Sequence, residues 1–250
     1  FFFSFLSVGC LFGFLLPFFF LMKAAFEEFL FSNFVLTDFH FLISAISTTI
    51  FLSAAATFVI LVTCLTVIFV IRNSRNNMSD TCAQIFTSNY AVAGLVSALA
   101  LLTLAGYLNS LLPDSILGGG KFAFFLSITL LFIAYLSRYF AVGHNVLNTN
   151  SKSITKNIDY SSSTLGLTPM KSFFRLHLSL LRPSIIIAGT LIFLDIVKEL
   201  PATLILRPLD IETLAISAYG FAADEELGLA AIPSLAMVVL VIPVVFFLWN

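Results

Sequence analysis

The chain has 250 residues, 60% of them hydrophobic and 10% charged, with a net charge of −1 and a mean hydropathy of +1.07. A soluble domain carries about 25% charged residues; this chain has too few to cover a water-facing surface, so lipid is its solvent. Its three cysteines, Cys10, Cys64 and Cys82, lie far apart, which excludes a disulfide framework or a thiolate metal site and leaves small buried thiols as the reading.

Six apolar runs follow along the chain, at approximately 3–22, 43–71, 87–108, 122–143, 183–200 and 230–249. Each is near the roughly 20 residues that cross a hydrocarbon core. Lipid offers the backbone no hydrogen-bond partners, so the runs are helices and the chain is an all-α membrane protein. The first run is long for a signal peptide, and no Met or basic segment precedes it. The sequence is therefore expected to be a piece of a longer polypeptide. The second run is long enough to tilt. The fifth opens at Pro183, a favoured first-turn position, and closes at Pro201.

Charge orients these runs. Arg72, Arg75, Lys152, Lys156, Lys171, Arg175 and Arg182 fall in one set of connections, with Arg138 at a helix end. The opposite set holds Lys23, Lys121, Lys198 and Arg207 with most of the acids, among them Glu27, Glu28, Asp38, Asp114, Asp210, Glu212 and the run Asp224–Glu226. The positive-inside rule then places 72–86, 144–182 and both termini in the cytoplasm. On that face, 144–163 reads as the one loop-like stretch of any length. From Ile158 to Pro183 the composition is that of two short surface helices around a Gly166–Pro169 break, a handle for a soluble partner. The stretch 201–229 is expected to lie at the outer interface.

Few stretches could carry chemistry. Gly118-Gly119-Gly120-Lys121 lacks the earlier Gly of a phosphate loop, where Ser115 stands, and has Phe122 in place of Ser or Thr. It reads as a turn with an interfacial lysine. His40, His144 and His177 show no metal-ligand spacing. No nucleophile or zinc-protease motif occurs, so neither an enzyme, a metal site nor a cofactor is indicated, and nothing points to nucleic acid. The fifth run is different. Asp195, Lys198 and Glu199 would share one helical face at i, i+3 and i+4, beside the break at Pro201. Ionisable groups in a spanning segment usually face a bundle interior or a water-filled path. Against this, Lys198 and Glu199 lie one turn from the helix end and can snorkel outward. An ion-gradient transporter would want paired charges deep in several runs. Apart from Arg138, only the fifth has them.

The run from Lys198 to Pro208 (K-E-L-P-A-T-L-I-L-R-P), followed by Glu212-Thr213-Leu214-Ala215, closely resembles one in the permease subunits of iron(III)-type ABC importers. Leu165-Gly166-Leu167-Thr168-Pro169 and Leu180-Leu181-Arg182-Pro183 resemble the cytoplasmic coupling loop of binding-protein-dependent permeases. The similarity covers roughly 44–249 and is strongest over 158–233. It implies a type I importer (MetI-like) fold of six transmembrane helices in a bacterial inner membrane. The first helix and outer loop would occupy 1–43, and a permease core 44–249 with its coupling loop at about 151–182. The implied partners are a cytoplasmic ABC ATPase, a periplasmic or lipoprotein substrate-binding protein and a second permease half. Permeases of this branch are often fused, and this chain fits the second half of such a fusion. Polyamine, thiamine or phosphonate are the alternative substrates within the class.

The resemblance assigns ATPase coupling to Asp159, Leu165, Gly166, Pro169, Phe173 and Phe174. The gate or substrate pathway falls to Asp195, Lys198, Glu199 and Pro201. Where the resembling loops carry Glu-Ala-Ala, this chain has Tyr160-Ser161-Ser162, with Asp159 one position earlier, and their Leu-Pro is here Leu178-Ser179.

Overall fold

The computed structural model describes residues 11–31, 36–74, 78–111 and 120–249. Cys10, Arg75, Asp114, Gly118, Gly119 and the start of the first apolar run lie outside the described residues. The helices are α1 (Leu16–Phe31, entered through a π turn at Leu11–Leu15), α2 (Leu36–Asn73), α3 (Met78–Ser88), α4 (Gly94–Leu111), α5 (Gly120–Ser153) and α6 (Lys156–Thr164). They continue with α7 (Pro169–Leu180), α8 (Arg182–Val197), α9 (Pro201–Leu206), α10 (Leu214–Ala223) and α11 (Leu227–Trp249). No strand occurs among the described residues.

Three helical segments are long and apolar enough to cross a membrane, Phe39–Asn73, Phe124–Ser153 and Leu227–Phe246. Two bent pairs raise this to as many as five: Met78–Ala91 with Gly94–Tyr107, bent by 107°, and Pro169–Leu180 with Arg182–Val197, bent by 72°. The chain is therefore a multi-pass membrane protein, and the described residues support up to five of the six expected spans. The run expected as a single helix over 87–108 breaks because Val92 is extended, at φ −78° and ψ 130°. The Asn89 side chain is meanwhile held by Ser137 of α5.

The polar stretch at 144–163 is not a loop. Helix α5 runs on to Ser153, and α6 begins three residues later. Once outside lipid a helix still satisfies its own backbone. The Asn and Thr side chains here fold back on it, Thr149 donating to the Asn145 carbonyl at 2.8 Å and Asn150 to that of Val146 at 3.0 Å. The charged run after the first apolar segment is also helical: α1 continues to Phe31, with Lys23 and Glu27 paired at 3.6 Å.

The chain divides into two compact units, Phe1–Phe51 with Leu209–Phe246 and Leu52–Pro208 with Phe247–Asn250. In the first, the buried Thr49 hydroxyl donates to the Ala45 carbonyl at 2.7 Å and accepts the Leu214 N–H at 2.9 Å, capping the start of α10. The Asp224–Glu226 acids form the turn between α10 and α11, with Glu225 at φ 64°.

The second unit holds the candidate site. Its core joins Ala56, Ile60, Cys64 and Ile68 of α2 to Leu131, Tyr135, Tyr139 and Leu147 of α5 and Ala188, Ile192 and Ile196 of α8. Among lipid-solvated helices the drive to associate is packing, which favours small residues at the seam. A Cβ on Gly143 would sit 2.9 Å from Ile192 Cδ1 and 3.1 Å from Cys64 Sγ, so α2, α5 and α8 meet where that glycine is bare. Cys64 is buried as expected, whereas Cys82 is exposed.

Gly143→Val should therefore lower thermal stability in detergent by about 1–3 kcal/mol through overpacking. Gly106→Val should leave it near wild type, because nothing lies within 4 Å of a Cβ there. Equal losses at the two positions would show that the Gly143 seam is not close-packed.

Candidate functional site: a braced surface element and a charged helix break

The surface element is built by local rules. Helix α6 ends in a glycine-capped turn: Gly166 lies at φ 75°, its N–H bonds the Ser163 carbonyl at 3.0 Å, and the Leu167 N–H bonds that of Ser162 at 3.1 Å. Helix α7 then starts with Thr168 as N-cap, its hydroxyl accepting the Lys171 N–H, and Pro169 in the first turn. The two short helices around the Gly166–Pro169 break are therefore present as expected. A π turn at Phe173–His177 swings Phe173 and His177 inward, and Phe173 packs edge-on to Phe69 of α2 at 5.1 Å.

Asp159 is where these parts meet. Its carboxylate accepts from Arg72 Nε at 3.0 Å and Nη2 at 2.8 Å, and from His177 Nε2 at 2.6 Å. Arg72 also donates to the carbonyls of Ser151 at 2.9 Å and Ile154 at 3.1 Å, at the junction between α5 and α6. A further bond links the hydroxyls of Ser172 and Ser162 at 2.9 Å. Of the six coupling residues expected from the sequence, Leu165 (80% exposed) and Phe174 (58%) project from the surface. Gly166 and Pro169 shape it and are exposed as well. Phe173 is buried at 7% exposure, and Asp159 is turned onto Arg72 and His177. Sequence reading missed Arg72 and His177 as its partners.

The second cluster lies where α8 stops. The expected shared face for Asp195, Lys198 and Glu199 does not form, because the helix ends at Val197 and Lys198 is its C-cap. Pro201 has no N–H to continue the ladder and instead opens α9. Lys198 turns outward and pairs with Asp195 at 2.9 Å. Glu199 goes the other way and is 5% exposed. Its carboxylate accepts from Tyr139 Oη at 2.6 Å, from Arg138 Nη1 at 3.3 Å and from the Ala202 N–H at 3.2 Å. Thr203 donates to the Glu199 carbonyl at 3.0 Å, which leaves Tyr135 to donate to Thr203 at 2.6 Å. Gly94, at the start of α4, leaves room for the Arg138 guanidinium, which would collide with a Cβ there. Pro201 itself is exposed. The arrangement is a pinned break: a buried carboxylate just past the end of α8, held by three donors, one of them an arginine. Among the described residues no three His, Cys, Asp or Glu side chains stand close enough to hold a metal ion.

No family model matches the chain. Over 152 residues, 60% of the chain, it is 33% identical to the Fe(3+)-transport system permease protein of Haemophilus influenzae. The match takes in 27% of that protein's length, so the chain spans well under two thirds of this curated relative. The resemblance to iron(III)-type permeases read from Lys198–Pro208 is borne out by this relative.

Removing one member of a buried ion pair strands the other. Glu199→Ala should lower stability in detergent by about 2–4 kcal/mol, less than a fully buried pair would lose because Arg138 is 32% exposed. The double variant Arg138→Ala/Glu199→Ala should lose at least about 0.5 kcal/mol less than the sum of its singles. Strict additivity in thermal unfolding would show that the pair is not coupled.

Proposed function

We propose that the chain is the permease subunit of an ATP-driven ABC importer for iron(III), with the six-helix type I (MetI-like) fold in a bacterial inner membrane and both termini in the cytoplasm. In this reading 1–43 supplies the first helix and outer loop, and 44–249 supplies the permease core. A cytoplasmic ATPase would drive it, a substrate-binding protein would feed it, and a second permease half would complete the pathway. The observation that carries the reading is the α6–Gly166–α7 element, a preformed surface flanked by basic residues. The relative's iron(III) transport supports the substrate.

The mechanism follows from the two clusters. Closure of the ATPase moves α6 and α7 as one body, because the His177–Asp159 and Ser172–Ser162 bonds tie them together, and Arg72 links that body to α2. The motion enters α8 at Leu181 and Arg182, where the chain bends by 72°. It leaves α8 at the Lys198–Leu200 break, where Asp195, Lys198, Glu199 and Pro201 line or seal the path. Glu199, held by Arg138 and Tyr139, keeps the break in one position until that motion arrives. The permease need not hold its cargo tightly, since a high-affinity receptor with a low-affinity channel permits release.

Iron(III) uptake by the complete importer in proteoliposomes tests this. Gly166→Val forces a β-branched residue into the left-handed region at about 1–2 kcal/mol, although open space surrounds the site. It should abolish uptake and ATPase association while leaving membrane insertion intact. Gly166→Asn, which tolerates that conformation, should retain most of both. Normal uptake by Gly166→Val would contradict the coupling assignment. ATP-driven uptake of a polyamine, thiamine or phosphonate in place of iron(III) would contradict the substrate.

A further inference from the structure

We infer that the groove receiving the α6–α7 element is apolar with an acidic rim, so that this chain presents positive charge to its ATPase. The inference rests on the coupling reading above. Between Ser151 and Arg182 the sequence has one acid, Asp159, against Lys152, Lys156, Lys171, Arg175 and Arg182. Both oxygens of that single carboxylate are occupied from within the chain, by the Arg72 guanidinium and His177 Nε2. It therefore offers no free negative charge at the position nearest to where the resembling loops carry their glutamate.

What projects instead is apolar and basic. Leu165 is 80% exposed, Met170 59%, and Phe174 58%. Lys171 and Arg175, four residues apart along α7, are exposed and carry no ion pair among the described residues. Apolar knobs want an apolar groove, and two unpaired cations beside them want carboxylates at its edge. A bilayer surface also attracts basic and apolar side chains, but it needs no fixed relief. Here the relief is fixed three times over: by the left-handed turn at Gly166, by the Ser162–Ser172 hydroxyl bond and by the Asp159 clamp. A rigid projecting surface loses little entropy on docking into a protein groove.

Rim charges act mainly on association rate and salt dependence. The test uses the complete permease in nanodiscs and its isolated ATPase subunit, with association followed by biolayer interferometry. At low salt Lys171→Glu/Arg175→Glu should slow association by about tenfold or more, and high salt should erase the difference. Lys171→Gln/Arg175→Gln should fall between the two. Reversing an acid on the ATPase groove rim to Lys should restore association to the Glu variant. These side chains are exposed, so the variants should keep wild-type thermal stability. Unchanged association at low salt would overturn the inference while leaving the coupling reading in place. So would a defect seen only in nanodiscs of anionic lipid and absent from zwitterionic ones, since it would assign the cations to the bilayer. Failure of the wild-type permease to bind any ATPase would instead remove the coupling reading itself.

Discussion

The structure of the second unit depends on one guanidinium. Arg72 closes the end of α2 and reaches 87 residues along the chain to the Asp159 carboxylate, while its Nη1 and Nη2 groups also donate to the Ser151 and Ile154 carbonyls at the α5–α6 junction. Charge-assisted bonds of this kind are shorter and about twice as strong as neutral ones, and the fixed fork of arginine lets one side chain serve three segments. Without it the end of α5, the start of α6 and the end of α2 would each carry polar groups in search of partners. With it, the surface element is part of the core, and Phe173 against Phe69 seals the underside.

The same rule holds at the other end of α8. Where the helix ladder breaks at Lys198–Leu200, side chains supply partners on its buried side. Tyr139, Arg138 and the Ala202 N–H converge on Glu199, and Thr203 accepts from Tyr135 and donates to the Glu199 carbonyl. A buried pair adds little net stability against an apolar replacement, but breaking one is costly. Such a cluster favours one arrangement of the break over many. Helix α8 joins the two clusters, and its bare seam with α2 and α5 at Gly143 lets it pack as a rod.

Local features were legible in the sequence. Gly166 and Pro169 announce a helix stop and a helix start through the conformations each residue allows, and the structure has both. The apolar runs announce helices because continuous apolar runs of about 20 residues match a spanning helix and not the short alternating strands of a barrel. Long-range partners were not legible: nothing near Asp159 points to Arg72, and charge counting had placed both on a surface. Glu199 was misjudged for a related reason. The i, i+4 spacing to Asp195 assumes that the helix continues, whereas Pro201 ends it early and turns the two carboxylates apart. The stretch at 144–163 looked like a loop because it is polar, yet polarity decides only which solvent a helix meets.

The central claim is that the α6–α7 surface receives the ATPase. Photo-crosslinking tests it most directly, with a photoreactive residue placed at Leu165 or Phe174 in the complete importer and a buried control at Phe173. The account predicts an ATP-sensitive adduct between the ATPase subunit and positions 165 and 174, and none at 173. An assembled, active importer that gives no adduct at either exposed position would contradict it.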